Sequence, residues 1–160
     1  MLNRDFTAER PNQKWVTDIS YISIIRDLYD NSIVSHKTSK EQSIKLVLDT
    51  IKAAKRKEKV TGELQLHSDQ GFQYTSHAYF KLTKEYGILP SMSRRGNPND
   101  NALAENFFSI LKTECINRVR LATYEEASLL IGEYINFYNN YRIQTKTKLT
   151  PLEKRNQFVA

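Results

Sequence analysis

Residues 64–87, LQLHSDQGFQYTSHAYFKLTKEYG, with the ILPSM that follows at 88–92, decide the fold class. Leu64 and Leu66 alternate with polar neighbours, the period of a half-buried strand. That strand runs into HSDQG at 67–71, where a polar cluster ending in glycine breaks it. Ser76 is a helix N-cap residue, Tyr79, Leu82 and Tyr86 follow at helical spacing, and Gly87 closes the helix. Ile88–Met92 then reads as another short strand. Strand, helix, strand is the unit of a parallel sheet, because parallel neighbours need a crossover between them.

The flanking sequence extends this order. KWVTDISYISII at 14–25 is dense in β-branched and aromatic residues and is expected to form one strand. On it Val16, Asp18, Ser20 and Ile22 share one face, and Trp15, Thr17, Ile19 and Tyr21 the other. DLYDN at 27–31 is a turn signal, after which the chain returns through 32–37. Ser39 with Gln42 forms a capping box that opens a helix, along which Ile44, Val47, Leu48, Ile51 and Ala54 make one apolar stripe. Its basic end, Lys52, Lys55, Arg56, Lys57 and Lys59, suits the helix dipole as a solvated last turn.

RRGNPNDN at 94–101 reads as a loop, and a third helix starts near Ala102, burying Leu103, Phe107, Ile110 and Leu111. Thr123 and Glu126 form a second capping box, before a long helix with Ala127, Leu130, Ile131, Tyr134, Tyr138 and Tyr141 on its apolar stripe. Thr150-Pro151 is a further turn cue. Trp15, Tyr138 and Tyr141 are expected in the core, and Cys115 as a small buried residue; Arg142, past the last stripe, has no assigned role. The sum is an α/β chain with a tail at 1–13 and a single core over 14–157.

Composition narrows the classes. A chain of 160 residues is the length of one domain, and 39% hydrophobic with 26% charged residues is globular rather than disordered. One cysteine, Cys115, allows no disulfide framework and no Cys-based zinc site, which suits a reducing compartment. No apolar run reaches the length of a membrane helix, and MLNRDFTAERPNQ at 1–13 lacks the apolar core expected of a signal peptide. Lys and Arg outnumber Asp and Glu by 24 to 18, a balance of +6 that fits a polyanionic partner but also many ordinary soluble domains.

Three acids stand where an acid is awkward: Asp18 inside an apolar strand, Asp69 just past another, and Glu105 near a helix start. Each has a bland reading alone. Asp18 could be an edge-strand residue facing water, Asp69 a turn former, and Glu105 a first-turn acid favoured by the helix dipole. Together they have a use, since like charges that close repel unless cations neutralise them. Mg²⁺ or Mn²⁺ takes oxygen ligands, and two such ions can serve both attacking and leaving oxygens of a phosphodiester.

LHSDQGFQY at 66–74 and SRRGNPNDNALAENFFSILKTE at 93–114 resemble the catalytic core of insertion-sequence transposases, in the retroviral-integrase superfamily. The 35 residues between Asp69 and Glu105 match that family's Asp-Asp-35-Glu signature. KWVTDISYI at 14–22 is similar to the strand bearing the first acid, and FYNNYRIQTKTKLTP at 137–151 to the C-terminal element. The resemblance implies an RNase H-like fold, a mixed sheet with helices on both faces. It implies that Asp18, Asp69 and Glu105 are catalytic and bind two Mg²⁺ or Mn²⁺ ions. The implied activity is cleavage at transposon ends and strand transfer into target DNA, in a bacterial cytoplasmic homo-oligomer with no membrane contact.

Candidate DNA contacts are His67, Arg94, Arg95, Asn101 and Lys112. The bland alternatives are a polar strand end for His67 and turn or cap geometry for Asn97, Asn99 and Asn101. Family members place a glycine-containing turn between the first acid and the DLYD segment, whereas DISYI here runs directly into SIIRDLYDN, so the first hairpin is shortened. They also carry helix-turn-helix elements upstream, and none fits into residues 1–13. Two rival readings follow: a non-catalytic remnant that binds DNA or full-length transposase unproductively, and a general nuclease of the same fold.

Overall fold

In the computed structural model, which describes residues 5–158, two residues reverse the chain where no turn signal stands. Ser20 and Tyr21 join β1 (Lys14–Ile19) to β2 (Ile22–Asp27), and the two strands pair antiparallel with Asp18 opposite Ile24. The single strand expected over 14–25 is therefore a closed hairpin. Neither turn residue takes a positive φ, so neither glycine nor asparagine is required there. The Ser20 N–H donates to Ile22 O at 2.9 Å, and Tyr21 stands 62% exposed at the tip. What fixes the turn is burial on both sheet faces rather than local propensity.

After the expected turn at 27–31, where Asn31 takes φ 66°, β3 (Ile33–Thr38) returns antiparallel to β2. Helix α1 (Ile44–Lys57) crosses over to β4 (Leu64–Ser68), and α2 (His77–Glu85) to β5 (Ile88–Met92). The sheet order is β3-β2-β1-β4-β5, with β4 parallel to both β1 and β5. Then α3 (Ala102–Glu114), α4 (Tyr124–Asn140) and α5 (Pro151–Phe158) complete the chain. One sheet face, with Trp15, Ile25, Val34, Leu64, Leu66 and Ile88, packs on Val47, Ile51 and Ala54 of α1 and on Tyr79 and Leu82 of α2. The other, with Ile22, Ile24 and Ile33, packs on Phe107 and Leu111 of α3 and Ile131, Tyr134 and Tyr138 of α4. Helices thus cover both faces of a mixed sheet. Among the described residues no helix is long and apolar enough to cross a membrane.

Several expectations shift. The first helix is capped by Ser43, whose side chain accepts from Leu46 N; Ser39 instead continues the strand layer, its N–H donating to Tyr21 O at 2.9 Å. Both serines carry the same cap chemistry, and only packing chooses between them. Tyr141 lies beyond the end of α4 and is 69% exposed, whereas Trp15 and Tyr138 are buried as expected. Thr150-Pro151 is a helix start: Glu153 N–H donates to Thr150 Oγ1 and Thr150 N–H to Glu153 Oε2, a reciprocal capping box with proline in the first turn. Arg142 forms a bidentate pair with Glu114, tying the chain after α4 to the end of α3.

Residues 5–13, read as tail, pack on the core: Gln13 O accepts from Gln65 N, and buried Asn12 joins a charge cluster. At its centre is Arg155 of α5. Its guanidinium donates to Asp27 and Asp30 at 3.1 and 2.7 Å, and to Asn12 Oδ1 and Glu58 Oε2 at 2.7 Å each. Asp27 and Asp30 are fully buried, and burial pushes the Asp27 carboxyl upward. Removing the cation strands both acids. Arg155→Ala is expected to cost about 3–5 kcal/mol in urea unfolding at neutral pH. The loss should shrink in acidic buffer, where the stranded carboxylates take up protons.

Candidate active site

Parallel pairing of β1 with β4 sets Val16 opposite His67, so both strands end at the same sheet edge. Asp18 follows Val16 by two residues and shares its face, and Val16 packs on Ala104 of α3. Asp69 stands one residue past β4 and on the face of His67. Glu105, next to Ala104, projects from the first turn of α3. All three acids therefore sit at one edge of the sheet, on the side that α3 covers.

Their charges interact. Burial raises the Asp18 carboxyl to about 6, the Ile19 N–H at 2.8 Å opposes this, and the negative charges of Asp69 and Glu105 raise it further. Asp69 is held by the Gly71 N–H, which donates to Oδ1 at 2.8 Å. A Cβ on Gly71 would lie 3.0 Å from both Asp69 Oδ1 and Gln73 Oε1, so a larger residue there would press on the Asp69 carboxylate. Glu105 is exposed. A cavity of about 330 Å³ joins Asp69 and Glu105, lined also by Gln70, Arg94, Arg95 and Asn101. Among the described residues, no three His, Cys, Asp or Glu side chains are gathered tightly enough to hold a metal ion. The acids share a field, and the cage is open.

The candidate DNA contacts divide. Arg94, Arg95 and Lys112 are exposed. His67 is 2% exposed, correcting its reading as a DNA contact: Nε2 lies 2.8 Å from Asp100 O and Nδ1 3.0 Å from Ser91 Oγ. Since a carbonyl only accepts, Nε2 carries the proton, and burial keeps the ring neutral by lowering its pKa. The Phe6 ring meets it edge-on at 5.7 Å. His67 therefore braces the loop over 93–101. Asn101 is 4% exposed, and its buried Oδ1 has no partner among the described residues; it too offers DNA no open surface.

Two supporting residues escaped the sequence reading. Asp100 Oδ2 accepts from Arg94 N at 3.1 Å, closing the loop that carries both arginines. Tyr74, fully buried, reaches Thr17 Oγ1 at 3.2 Å, while Thr17 donates to Ile24 O at 2.8 Å. With its one proton committed, Thr17 must accept from Tyr74. This strut ties the turn after Asp69 to the strand of Asp18. The signal for Tyr74 was its place in HSDQGFQY; no spacing announced its partner.

The raised Asp18 carboxyl makes a signed prediction. A carboxyl raised in the folded state adds stability that is full below its ordinary value of 3.8 and lost as pH climbs through about 6. Asp18→Asn, which mimics the neutral acid, should be about 2–3 kcal/mol more stable than wild type in neutral, metal-free buffer. The gap should close in acid. Urea unfolding in a chelator across pH checks this, and an Asn variant no more stable at neutral pH contradicts it.

Comparison with known proteins agrees with this architecture. An integrase core domain family model matches residues 8–98, and a second of the same description matches 105–159. A putative transposase for insertion sequence element IS150 of Escherichia coli is 41% identical over 98% of this chain and 59% of its own length. An uncharacterized transposase-like protein of Haemophilus influenzae is 40% identical over 98% of this chain and 77% of its own. The chain thus spans a little over half the length of the first of these relatives. Among solved structures, the HTLV-2 integrase catalytic core domain in complex with magnesium superposes with a TM-score of 0.70 at 16% identity, over 93% of this chain and 99% of that one. A chain of the simian T-cell lymphotropic virus intasome gives 0.81 at 17% identity, over 92% of this chain and 55% of that one. The RNase H-like sheet thus has its counterpart among these solved structures, and the chain belongs to the integrase core domain family, among the insertion-sequence transposases.

Proposed function

We propose that this chain is the catalytic core of a DNA transposase, cutting DNA at transposon ends and joining the freed 3′ end to a target. The carrying observation is Asp18, whose carboxyl is disfavoured as an anion by burial and by Asp69 and Glu105 together. Three carboxylates at one sheet edge, in none of the ion pairs among the described residues, repel one another unless a cation joins them. The donor set is all oxygen, which fits a hard divalent ion and not a thiolate-seeking one. Asp18, Asp69 and Glu105 would hold it. When bound, magnesium or manganese would supply charge neutralisation for the attacking and leaving oxygens of the phosphodiester.

The chain's own residues supply the remainder. The Gly71 N–H fixes one Asp69 oxygen and leaves the other for a ligand. The Tyr74–Thr17 strut keeps the two strand-borne acids in register. Arg94 and Arg95, on the cavity wall beside Glu105, are placed to grip a phosphate, and Lys112 lies two turns along the same helix face. The closed β1–β2 hairpin gives Asp18 a paired strand despite its shortness, which favours a working core over a non-catalytic remnant.

Two measurements test this. Adding Mg²⁺ or Mn²⁺ should raise the melting temperature by mass action, by about 2.7 kcal/mol of stability at a hundredfold excess over Kd. Glu105→Gln should blunt that response and abolish metal-dependent nicking of a transposon-end duplex. An equal thermal response in both proteins would place the ion elsewhere and sink the assignment.

DNA affinity should fall steeply with salt, as expected where phosphate contacts dominate. Replacing Arg94 and Arg95 by alanine should flatten the log–log slope by roughly 2, about 1 per lost phosphate contact. An unchanged slope would remove the loop from the DNA footprint.

A further inference from the structure

Arg26 of β2 is 6% exposed, yet it takes part in none of the ion pairs among the described residues. Its partners are neutral. Nη1 donates to Leu103 O at 2.6 Å and reaches Asn106 Oδ1 at 3.5 Å, Nη2 donates to Tyr138 OH at 3.2 Å, and Nε, also buried, has no partner. Ile24 shares its strand face, and Tyr138, which it bonds, packs against Phe107 in the apolar cluster under α3 and α4, a setting in which an apolar side chain would pack. A buried cation without an anion is destabilising, and replacing such a group by a hydrophobe of similar volume is often neutral or stabilising. Stability alone does not account for arginine here.

Its placement does. Leu103 and Asn106 bracket Glu105 on the first turn of α3, and Arg26 holds both from beneath. Arg26 also pairs across the ladder with Val16, two residues before Asp18. The guanidinium therefore joins the hairpin that carries Asp18 to the helix turn that carries Glu105. The Leu103 carbonyl lies in the first helical turn, and a charge-assisted bond to it fixes that turn's rotation and height. We infer that Arg26 is the positioning residue for Glu105, setting its distance from Asp18 and thereby the affinity of the site for divalent metal. This inference rests on the three acids being the metal site proposed above.

The test uses the full chain with Arg26→Met and Arg26→Lys, and Mn²⁺ as the probe. In metal-free buffer, Arg26→Met should unfold at the same or higher urea concentration than wild type. Amide exchange over residues 103–107 should nonetheless be faster, reporting a loosened first turn. Mn²⁺ affinity, measured by calorimetry without DNA, should fall roughly 10–100-fold, as for other groups that orient a metal ligand. In nicking assays kcat should fall while KM for DNA stays put, because a buried side chain does not touch the duplex. Arg26→Lys keeps the charge, but one ammonium cannot reproduce the fork, so partial recovery is expected.

Wild-type Mn²⁺ affinity and wild-type exchange in Arg26→Met would overturn the inference. Should Arg26→Met fail to fold, Arg26→Lys decides, and wild-type affinity there overturns it equally. Glu105→Gln runs as the control. If that variant binds Mn²⁺ as wild type does, the metal-site reading has failed, and the exchange data still report on Arg26 alone.

Discussion

The parallel ladder between β1 and β4 is the constraint on which the rest of the molecule depends. It sets Trp15 beside Leu66 and Val16 beside His67, and so brings two strands distant in sequence to one edge. Because side chains alternate faces, that register sends Trp15 and Leu66 into the core under α1 and α2 and turns Asp18 and Asp69 toward α3. A slip of one residue would exchange the two sets, burying acids among apolar side chains and baring tryptophan to water. The hydrophobic core and the acidic edge are two consequences of one pairing.

Around that edge the chain tolerates charges that a purely stable protein would avoid. Asp18 is held where its anion is disfavoured, and Arg26 is buried among neutral partners. Neither resembles the Arg155 cluster, where the buried acids Asp27 and Asp30 meet a cation and the arrangement closes. The contrast is one of charge balance. The Arg155 cluster satisfies its own charges, whereas at the acidic edge Asp18, Asp69 and Glu105 meet as like charges. Loop bracing by His67 and Asp100, and the Tyr74–Thr17 strut, hold this edge in shape from within.

Much of the fold was legible because its signals are local. Ser76 and Gly87 bound α2 as expected, Gly87 with φ 65°, and Thr123 caps α4 by accepting from Glu126 N. Where two local solutions were equivalent, the reading went astray. Ser39 and Ser43 both can cap a helix, and Thr150-Pro151 suits a turn as well as a helix start. The Ser20–Tyr21 reversal had no strong local signal, since its φ angles are ordinary and Tyr21 and the residues flanking the pair favour strands. His67 beside Asp69 read as available for DNA; its burial comes from β5 and the loop before α3, both distant in sequence.

By itself, the sequence determined the α/β order, the basic character, and the three acids with their family spacing, because these rest on residue type, periodicity and motif. Only the tertiary structure decided which polar residues face solvent and which brace the site from inside. It turned His67 inward, left Arg94 and Arg95 on the cavity wall, and set Arg26 under the first turn of α3. The physical reason is range. Caps and stripes are settled within a few residues, while burial and hydrogen-bond partnership depend on segments that meet only when the sheet pairs; for Arg26 and Leu103 those segments lie 77 residues apart.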